Sequence, residues 1–157
     1  MSDVNLSALL WSVAELLRGD YKQSDYGKVI LPFTVLRRLD CVLAPTKAAV
    51  IAENGLRTAA GLNPDPFLKK VSGHPFYNTS LFDLKKVHGD STQVANNLRA
   101  YLNGFSAEVR DIFGRCDLAA QIDRLDKAGL LYLVLERFVQ VDLHPKAVSN
   151  EQMGTIF

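Results

Sequence analysis

The chain has 157 residues, of which 48% are hydrophobic and 22% are charged, proportions that are typical of one globular domain with a sizeable core. Intrinsic disorder is excluded on these values, and the uncharged apolar runs at 29–36 and 129–135 are far shorter than the about 20 residues that span a bilayer. The net charge of +1 points to no particular partner. Its distribution is uneven: residues 18–105 contain 12 Lys or Arg against 7 Asp or Glu. This positive surplus could meet phosphate, although a solvated surface of mixed charge is the simpler explanation.

Apolar residues at three-and-four spacing predict two helices at the start of the chain, from about Asn5 to Leu17 and from near Ser24 to about Glu53. Gly19 should end the first helix, and Asn54-Gly55 is a stop signal for the second. Residues 29–43 are apolar almost all round, so we expect the second helix to be central and buried on most of its faces.

Prolines and turn residues divide the rest of the chain. Pro32 should kink the second helix, and Pro45 is expected to divide it into two. Further helices are predicted at Pro66 to Val71, Ser80 to Lys86, Ser91 to Leu102 (capped by Asp90 or Ser91), Ser106 to Phe113 (capped by Ser106), Leu118 to Lys127 and Leu130 to Val141. Because no run alternates with period two for long enough to form a sheet, the predicted fold class is all-α, with about six to eight helices around a central apolar helix.

The last residues predict a boundary. Ser149 and Gln152 have the spacing of a capping box, yet few residues follow them, and an isolated helix needs about a dozen or more residues to persist in water. We therefore expect residues 1–148 to form a helical domain and residues 149–157 to begin a linker helix in a longer chain.

The cysteines and histidines give no sign of a metal site. Cys41 and Cys116 lie among apolar residues, which predicts buried free thiols in a reducing compartment, although a disulfide stays open. His74, His88 and His144 each lie in a predicted turn, and a metal site would require them to converge in space. The local signatures of nucleotide hydrolysis, dinucleotide binding and zinc chemistry are missing too. We predict no catalytic, cofactor-binding or metal-binding residue in this chain.

One stretch resembles a base-binding motif. Asn63-Pro64-Asp65-Pro66-Phe67 is similar to the Asn-Pro-Pro-Phe motif with which adenine methyltransferases hold a flipped base. Asp65 separates the two prolines and would shift the aromatic ring relative to the Asn and Pro acceptors. No strand is predicted before it, so we interpret the stretch as a turn.

Basic residues are the candidate contacts to nucleic acid. Three doublets lie on predicted helices or at their ends, and neighbouring side chains on a helix diverge by about 100°, so each doublet spreads charge over a surface instead of forming a bidentate reader. Phosphate contact is the functional interpretation, and solubility with local pairing, such as Arg37 with Asp40, is the alternative. The candidates for DNA binding are Lys22, Lys28, Arg37, Arg38, Lys69, Lys70, Lys85 and Lys86.

The order of segments along the whole chain resembles the start of the methylation subunit of type I restriction–modification enzymes. The segments that carry the resemblance are Leu10-Trp11, Leu16 to Gly19, Tyr26 to Pro32, Leu36 to Asp40, Ser72 to Ser80, Asn97-Leu98, Tyr101 to Ser106, Asp111 to Phe113, Gln121 to Leu125, Asp142 to Pro145, Ser149-Asn150 and Met153-Gly154. No single segment is specific, but their joint order is.

The resemblance implies the helical N-terminal domain of a cytoplasmic DNA adenine methyltransferase subunit. Its S-adenosylmethionine site and true Asn-Pro-Pro-Phe motif belong to a following domain, so this chain would be silent in catalysis by itself. The implied partners are double-stranded DNA, a specificity subunit, a second methylation subunit and a restriction subunit, with no membrane. The implied role is to clamp DNA and assist assembly. A purely protein–protein helical module without DNA contact is the alternative.

Overall fold

The computed structural model describes residues 6–151, and these residues fold into nine α-helices with two short 3₁₀ turns. The helices are α1 (Leu6–Leu17), α2 (Gly27–Leu43), α3 (Lys47–Ala59), α4 (Asp65–Ser72), α5 (Leu84–His88), α6 (Val94–Asn103), α7 (Ala107–Arg115), α8 (Leu118–Lys127) and α9 (Leu131–Val139). Across residues 6–151 there is no strand, and the only β-type pairings are two isolated bridges. The prediction of an all-α fold is confirmed.

Helix α1 ends where the sequence predicts. One face of the helix is buried, with Val13 and Leu17 fully removed from solvent. Gly19 follows with a φ of +94°, a conformation that glycine adopts without the strain of a Cβ atom. Asn5, the predicted cap, lies outside the described residues.

Helix α2 is the centre of the fold, and it packs against α8 and α9. Phe33 and Leu36 are completely buried, and Pro32 lies inside the helix without ending it. The expectation of burial on most faces needs one correction, because Leu31 and Val35, one turn apart, are 45% and 41% exposed. Within residues 6–151, both side chains are left exposed to solvent.

The predicted limits of the second helix were wrong at both ends. A 3₁₀ turn at Gln23–Asp25 precedes α2, which therefore begins after Ser24. Pro45 divides the helix as expected, within the 3₁₀ turn at Ala44–Thr46. Asn54-Gly55 does not stop α3, because the next turn is held by an ion pair between Arg57 and Glu53 and by packing against α4.

Helices α3 and α4 form a hairpin with a small core of its own. Val50, Leu68 and Tyr77 are buried together, and Val71 packs against them. The Tyr77 hydroxyl donates to Asp65 Oδ1 at 2.7 Å, which connects the start of α4 to the loop that follows it. The hairpin thus has a core separate from that of the main body.

Two of the later helices begin further along than predicted. Helix α5 starts at Leu84 instead of Ser80, because the Asp83 side chain accepts the Lys86 backbone N–H and caps it. Helix α6 starts at Val94 instead of Ser91. Neither predicted cap is used there, since Asp90 Oδ1 accepts from the N–H and hydroxyl of Thr92 in a turn before the helix.

The helices after residue 105 agree more closely with the sequence. Helix α8 spans Leu118–Lys127 as predicted, while α7 and α9 differ from prediction by one or two residues at their ends. Ser106 precedes α7, but its side chain does not cap the helix, because its Oγ accepts the Tyr77 N–H at 3.3 Å.

The segment after α9 returns to the main core. Leu143 is fully buried and Val148 is 2% exposed, and both belong to the same apolar cluster as α2. Residues 150–151 are helical, which agrees with the helix start expected at Ser149. Gln152 and the rest of the predicted linker helix lie outside the described residues.

The two cysteines are free thiols. Cys41 is partly buried on α2, whereas Cys116 is exposed, so the prediction of a buried thiol was wrong for Cys116. Cys116 is the C-terminal cap of α7 and stands at the surface turn before α8.

None of the helices in residues 6–151 is long and apolar enough to cross a membrane.

Candidate functional site

Arg37 of α2 is bound inside the protein by three hydrogen bonds. Its Nε donates to the Val141 carbonyl at 2.9 Å, and its Nη2 donates to the Val139 carbonyl at 3.2 Å. Its Nη1 donates to Asp40 Oδ2 at 2.8 Å, which confirms the local pairing expected from the sequence. The guanidinium therefore connects α2 to the end of α9.

Arg38 binds residues that lie further toward the C-terminus than those bound by Arg37. Its Nη1 donates to the carbonyls of Leu143 and Val148 at 2.9 and 2.7 Å. Its Nη2 donates to Asn150 Oδ1 at 2.6 Å. Adjacent arginines diverge on the helix as expected, and here the divergence lets each one bind a different part of the same returning segment.

Asp40 is the junction of three helices, α2, α5 and α6. Its Oδ1 accepts the Tyr101 hydroxyl of α6 at 2.9 Å and the Leu84 N–H of α5 at 3.4 Å, while Arg37 binds its Oδ2. Burial raises the pKa of the Asp40 carboxyl, and the Tyr101 hydrogen bond and the Arg37 charge oppose that rise. Burial, and then the nearby Asp40 carboxylate, raise the pKa of Tyr101 well above its ordinary value.

Lys47 is a functional candidate that the sequence interpretation missed. Its Nζ donates to Asn78 Oδ1 at 3.1 Å and to the Phe82 carbonyl at 2.7 Å, and it lies 5.0 Å from the centroid of the Tyr101 ring. Burial lowers the pKa of this amine to about 8, although the Asp40 and Asp83 carboxylates act in the opposite direction. The feature that could have identified Lys47 is its position as the first residue of α3, because the dipole at a helix N-terminus disfavours a positive charge.

These groups line a cleft of about 390 Å³ between α2, the loop before α5 and the segment after α9. The residues at its rim include Asp83, Lys85, Asp142 and His144. Two of its carboxylates are already engaged in local structure, Asp83 with the Lys86 N–H and Asp142 with the His144 N–H. The cleft thus combines charges of both signs with an internal hydrogen-bond network.

The structure distributes the predicted DNA-binding residues over several environments. Lys28 pairs with Asp25 at 3.1 Å. Lys69 binds both Asp65 and Glu108, at 3.1 and 2.7 Å, and joins α4 to α7. Arg37 and Arg38 lie in the internal network described above. The charges of these four candidates are therefore all engaged within the protein.

The other four candidates are exposed: Lys22, Lys70, Lys85 and Lys86. No ion pair joins them to an acidic residue among the described contacts. Lys85 and Lys86 are neighbours on α5; Lys85 lines the cleft, and the charge of Lys86 is close enough to lower the pKa of Lys47. Lys47, Lys85 and Lys86 are here called the α5 basic cluster.

The interpretation of Asn63 to Phe67 as a turn holds for Asn63 and Pro64, which precede the helix, whereas Asp65 to Phe67 are the first turn of α4. Asn63 Oδ1 accepts the Asp65 N–H at 3.1 Å, and α4 begins at Asp65. The Arg57 guanidinium lies 3.9 Å from the centroid of the Phe67 ring. Because the Arg57 cation already occupies a face of the Phe67 ring and the Asn63 oxygen is engaged by the Asp65 N–H, this stretch is not arranged to hold a flipped base.

The histidines lie apart in the fold. His74 stacks on Phe76 and His88 stacks on Tyr132, while His144 Nδ1 accepts the Lys146 N–H. Residues 6–151 contain no group of three or more His, Cys, Asp or Glu that could hold a metal ion.

Comparison with protein families gives one match, to a family described as the HsdM N-terminal domain, over residues 6–138. No curated protein and no solved structure matches the chain. The match covers all nine helices except the last residue of α9, and it ends before the segment that Arg37 and Arg38 bind.

Proposed function

This chain belongs to the HsdM N-terminal domain family, the N-terminal domain of the methylation subunit of type I restriction–modification enzymes, and we propose that it contacts the DNA backbone within the assembled enzyme. The family places the domain in a multisubunit complex. The proposal assigns it two tasks, to help hold the subunits together and to close on the duplex without reading bases.

The α5 basic cluster is the observation that carries the proposal. Lys85 and Lys86 are exposed neighbours on a short helix, and Lys47 lies close behind them. Because the exposed charges of Lys85 and Lys86 are not neutralised by ion pairs in the described part of the chain, these two lysines are available to phosphate, and the partly buried Lys47 adds positive charge behind them. Lys22 and Lys70 supply further exposed charge elsewhere on the surface.

The expected binding is weak and independent of sequence. Each phosphate that a lysine neutralises contributes about −0.9 to the slope of log affinity against log salt. Four exposed lysines therefore give a slope of at most about −3.6. The carboxylates of Asp83 and Asp142 at the rim of the cleft repel an approaching phosphate, and this repulsion makes the slope less steep.

The test is a titration of two labelled duplexes of unrelated sequence, at about 50 mM and about 200 mM salt. The variant Lys85→Glu, Lys86→Glu should lose most of the affinity at low salt. The control variant Lys127→Glu, Lys146→Glu makes the same change in net charge at two exposed lysines outside the cluster. It should retain more affinity than the cluster variant.

Equal losses in the two variants would reduce DNA binding to a response to net charge and contradict the assignment to α5. A strong preference for one duplex would contradict backbone contact as the mode of binding. No binding at low salt would favour the alternative, a protein–protein module. Exposed Trp11, Leu56 and Leu81, each about 70% accessible, are the specific observation in favour of that alternative.

The remaining roles belong to the parent enzyme and stay predictions from the resemblance. S-adenosylmethionine and the target adenine would be held by the rest of the methylation subunit. A specificity subunit, a second methylation subunit and a restriction subunit would be the protein partners, and the complex would act in the cytoplasm.

A further inference from the structure

The segment after α9 is held against α2 by the two adjacent arginines. We call residues 140–151 the exit segment. Arg37 and Arg38 donate five hydrogen bonds to acceptors between Val139 and Asn150, at distances from 2.6 to 3.2 Å. The acceptors include two groups near the end of α9 and one side chain in the helical residues 150–151. The contacts thus extend over almost the whole exit segment.

Buried apolar side chains also hold the exit segment against the main core. Leu143 is completely buried and Val148 is 2% exposed, both within the main core. Between them, the Ala147 and Val148 N–H groups donate to the His144 carbonyl at 2.8 and 2.9 Å. A flexible linker lacks such buried anchors and internal hydrogen bonds.

We propose that Arg37 and Arg38 lock the exit segment onto α2, so that residues 140–151 move with the domain as one rigid body and set the direction of the backbone at residue 151. The rigidity follows from this chain alone. The consequence for the rest of the subunit rests on the proposed function. Movement of the following part would then be transmitted to α2, and from Asp40 to α5 and α6.

The donor and acceptor groups that hold the exit segment determine how these contacts respond to pH and to substitution. Four of its five acceptors are neutral backbone carbonyls and the fifth is the amide oxygen of Asn150. An arginine side chain stays charged over the physiological pH range, and its planar fork of donors can reach several carbonyls at once. A lysine has the same charge without the fork, so it cannot replace either arginine.

Hydrogen exchange of the full chain tests the lock. In Arg37→Lys, Arg38→Lys, amides of residues 141–151 should exchange at least about tenfold faster, whereas those of α7 and α8 keep their wild-type rates. The matched control is Arg18→Lys, Arg115→Lys, which changes two exposed arginines whose ion pairs are with residues three or four positions earlier in the chain. Unchanged exchange in the exit segment, or equal acceleration in α7 and α8, would overturn the proposal.

A second variant keeps both arginines. Asn150→Ala removes one acceptor from the exit segment and should accelerate exchange by a few-fold at residues 149–151 only. No change at these residues would overturn the role of Arg38 in holding the helix start. The DNA titration distinguishes this proposal from the proposed function, because the lysine-for-arginine variant keeps its net charge and the α5 basic cluster. If the wild type binds duplex but the lysine-for-arginine variant keeps wild-type exchange in the exit segment, the lock fails and the proposed function stands. If exchange accelerates in the variant but the wild type does not bind duplex, the proposed function fails and the lock stands.

Discussion

The Tyr101 hydroxyl on α6 donates a hydrogen bond of 2.9 Å to the Asp40 carboxylate on α2, and both side chains are buried. A carboxylate removed from water depends on such donors, because an unsatisfied buried acceptor is costly. This contact connects α2 and α6 through two residues that are 61 positions apart in the sequence.

Tyr101→Phe should therefore destabilise the domain by about 1–3 kcal/mol, measured as the free energy of unfolding in denaturant. Tyr26→Phe is the control, since the Tyr26 hydroxyl has no hydrogen-bond partner among residues 6–151 and its loss should change the value by less than about 0.5 kcal/mol. Equal effects of the two substitutions would show that the contact with Asp40 contributes nothing.

Lys47 should make stability increase with pH in the alkaline range. Its pKa is about 8 in the folded protein and 10.5 as the ordinary value, so between these limits the unfolded chain binds more protons than the folded one. The free energy of unfolding then rises with pH through this window. We expect the difference between wild type and Lys47→Met to increase from about pH 7.5 to about pH 9.5, below the range in which the tyrosines ionise.

Lys127→Met is the control for this prediction, because Lys127 is exposed at the end of α8. Its unfolding free energy should stay parallel to that of the wild type across the same pH range. If the curves for Lys47→Met and the wild type are also parallel, Lys47 keeps its ordinary pKa in the folded protein.

Leu36 is expected to be one of the main contributors to the core. It is completely buried at the centre of α2, so Leu36→Ala should cost about 2–5 kcal/mol in unfolding free energy through lost transfer energy and an unfilled cavity. Its neighbour Val35 is 41% exposed, and Val35→Ala should cost less than about 1 kcal/mol. An inverted order of the two costs would mean that α2 is rotated about its axis.

Two glycines should respond in opposite ways to the same substitution. A Cβ on Gly104 would lie 2.7 Å from Asn78 Oδ1 and from the Ser80 backbone nitrogen, so Gly104→Ala should destabilise the domain by about 1–3 kcal/mol. A Cβ on Gly114, inside α7, meets nothing within 4 Å, and Gly114→Ala should stabilise by about 0.4–1 kcal/mol. Thermal unfolding of the two variants would detect the difference in sign.

The family match ends at Phe138, but we expect the folded domain to extend beyond this residue. A chain that ends there loses the buried side chains of Leu143 and Val148, each of which contributes about 1.5–3 kcal/mol when it is fully buried. It also leaves Arg37 without the Val139 and Val141 carbonyls. We expect a chain that ends at Glu151 to be more stable in urea than the shorter chain by at least about 3 kcal/mol. Equal stability would contradict the place of the exit segment in the core.

The sequence predicted the helices that depend on local signals. The period of apolar residues, the glycine after Leu17 and the proline at 45 act within a few residues, and α1, the division after α2 and α8 follow from them. Asn54-Gly55 failed as a stop signal because α4, the next helix along the chain, folds back along α3 and stabilises the extra turn. Tertiary packing outweighed local propensity there.

The site was less predictable because its contacts are long-range. The charge of Arg37 and Arg38 was visible, but their acceptors lie more than a hundred residues later and are backbone carbonyls, which carry no sequence signal. The same holds for Lys47, whose partners are an Asn side chain and a carbonyl of the loop before α5. Periodicity identifies buried positions, but it does not identify the acceptor of a cation.

Trp11 is the only tryptophan of the chain, and its side chain is 69% exposed on α1. Its indole already lies largely in water in the native state, so denaturation will change its emission wavelength only slightly. Fluorescence is therefore a poor monitor of unfolding for this protein, and circular dichroism of the helices is the better one. The same property makes Trp11 a sensitive reporter of assembly, since any subunit that covers α1 would shift the emission to shorter wavelength.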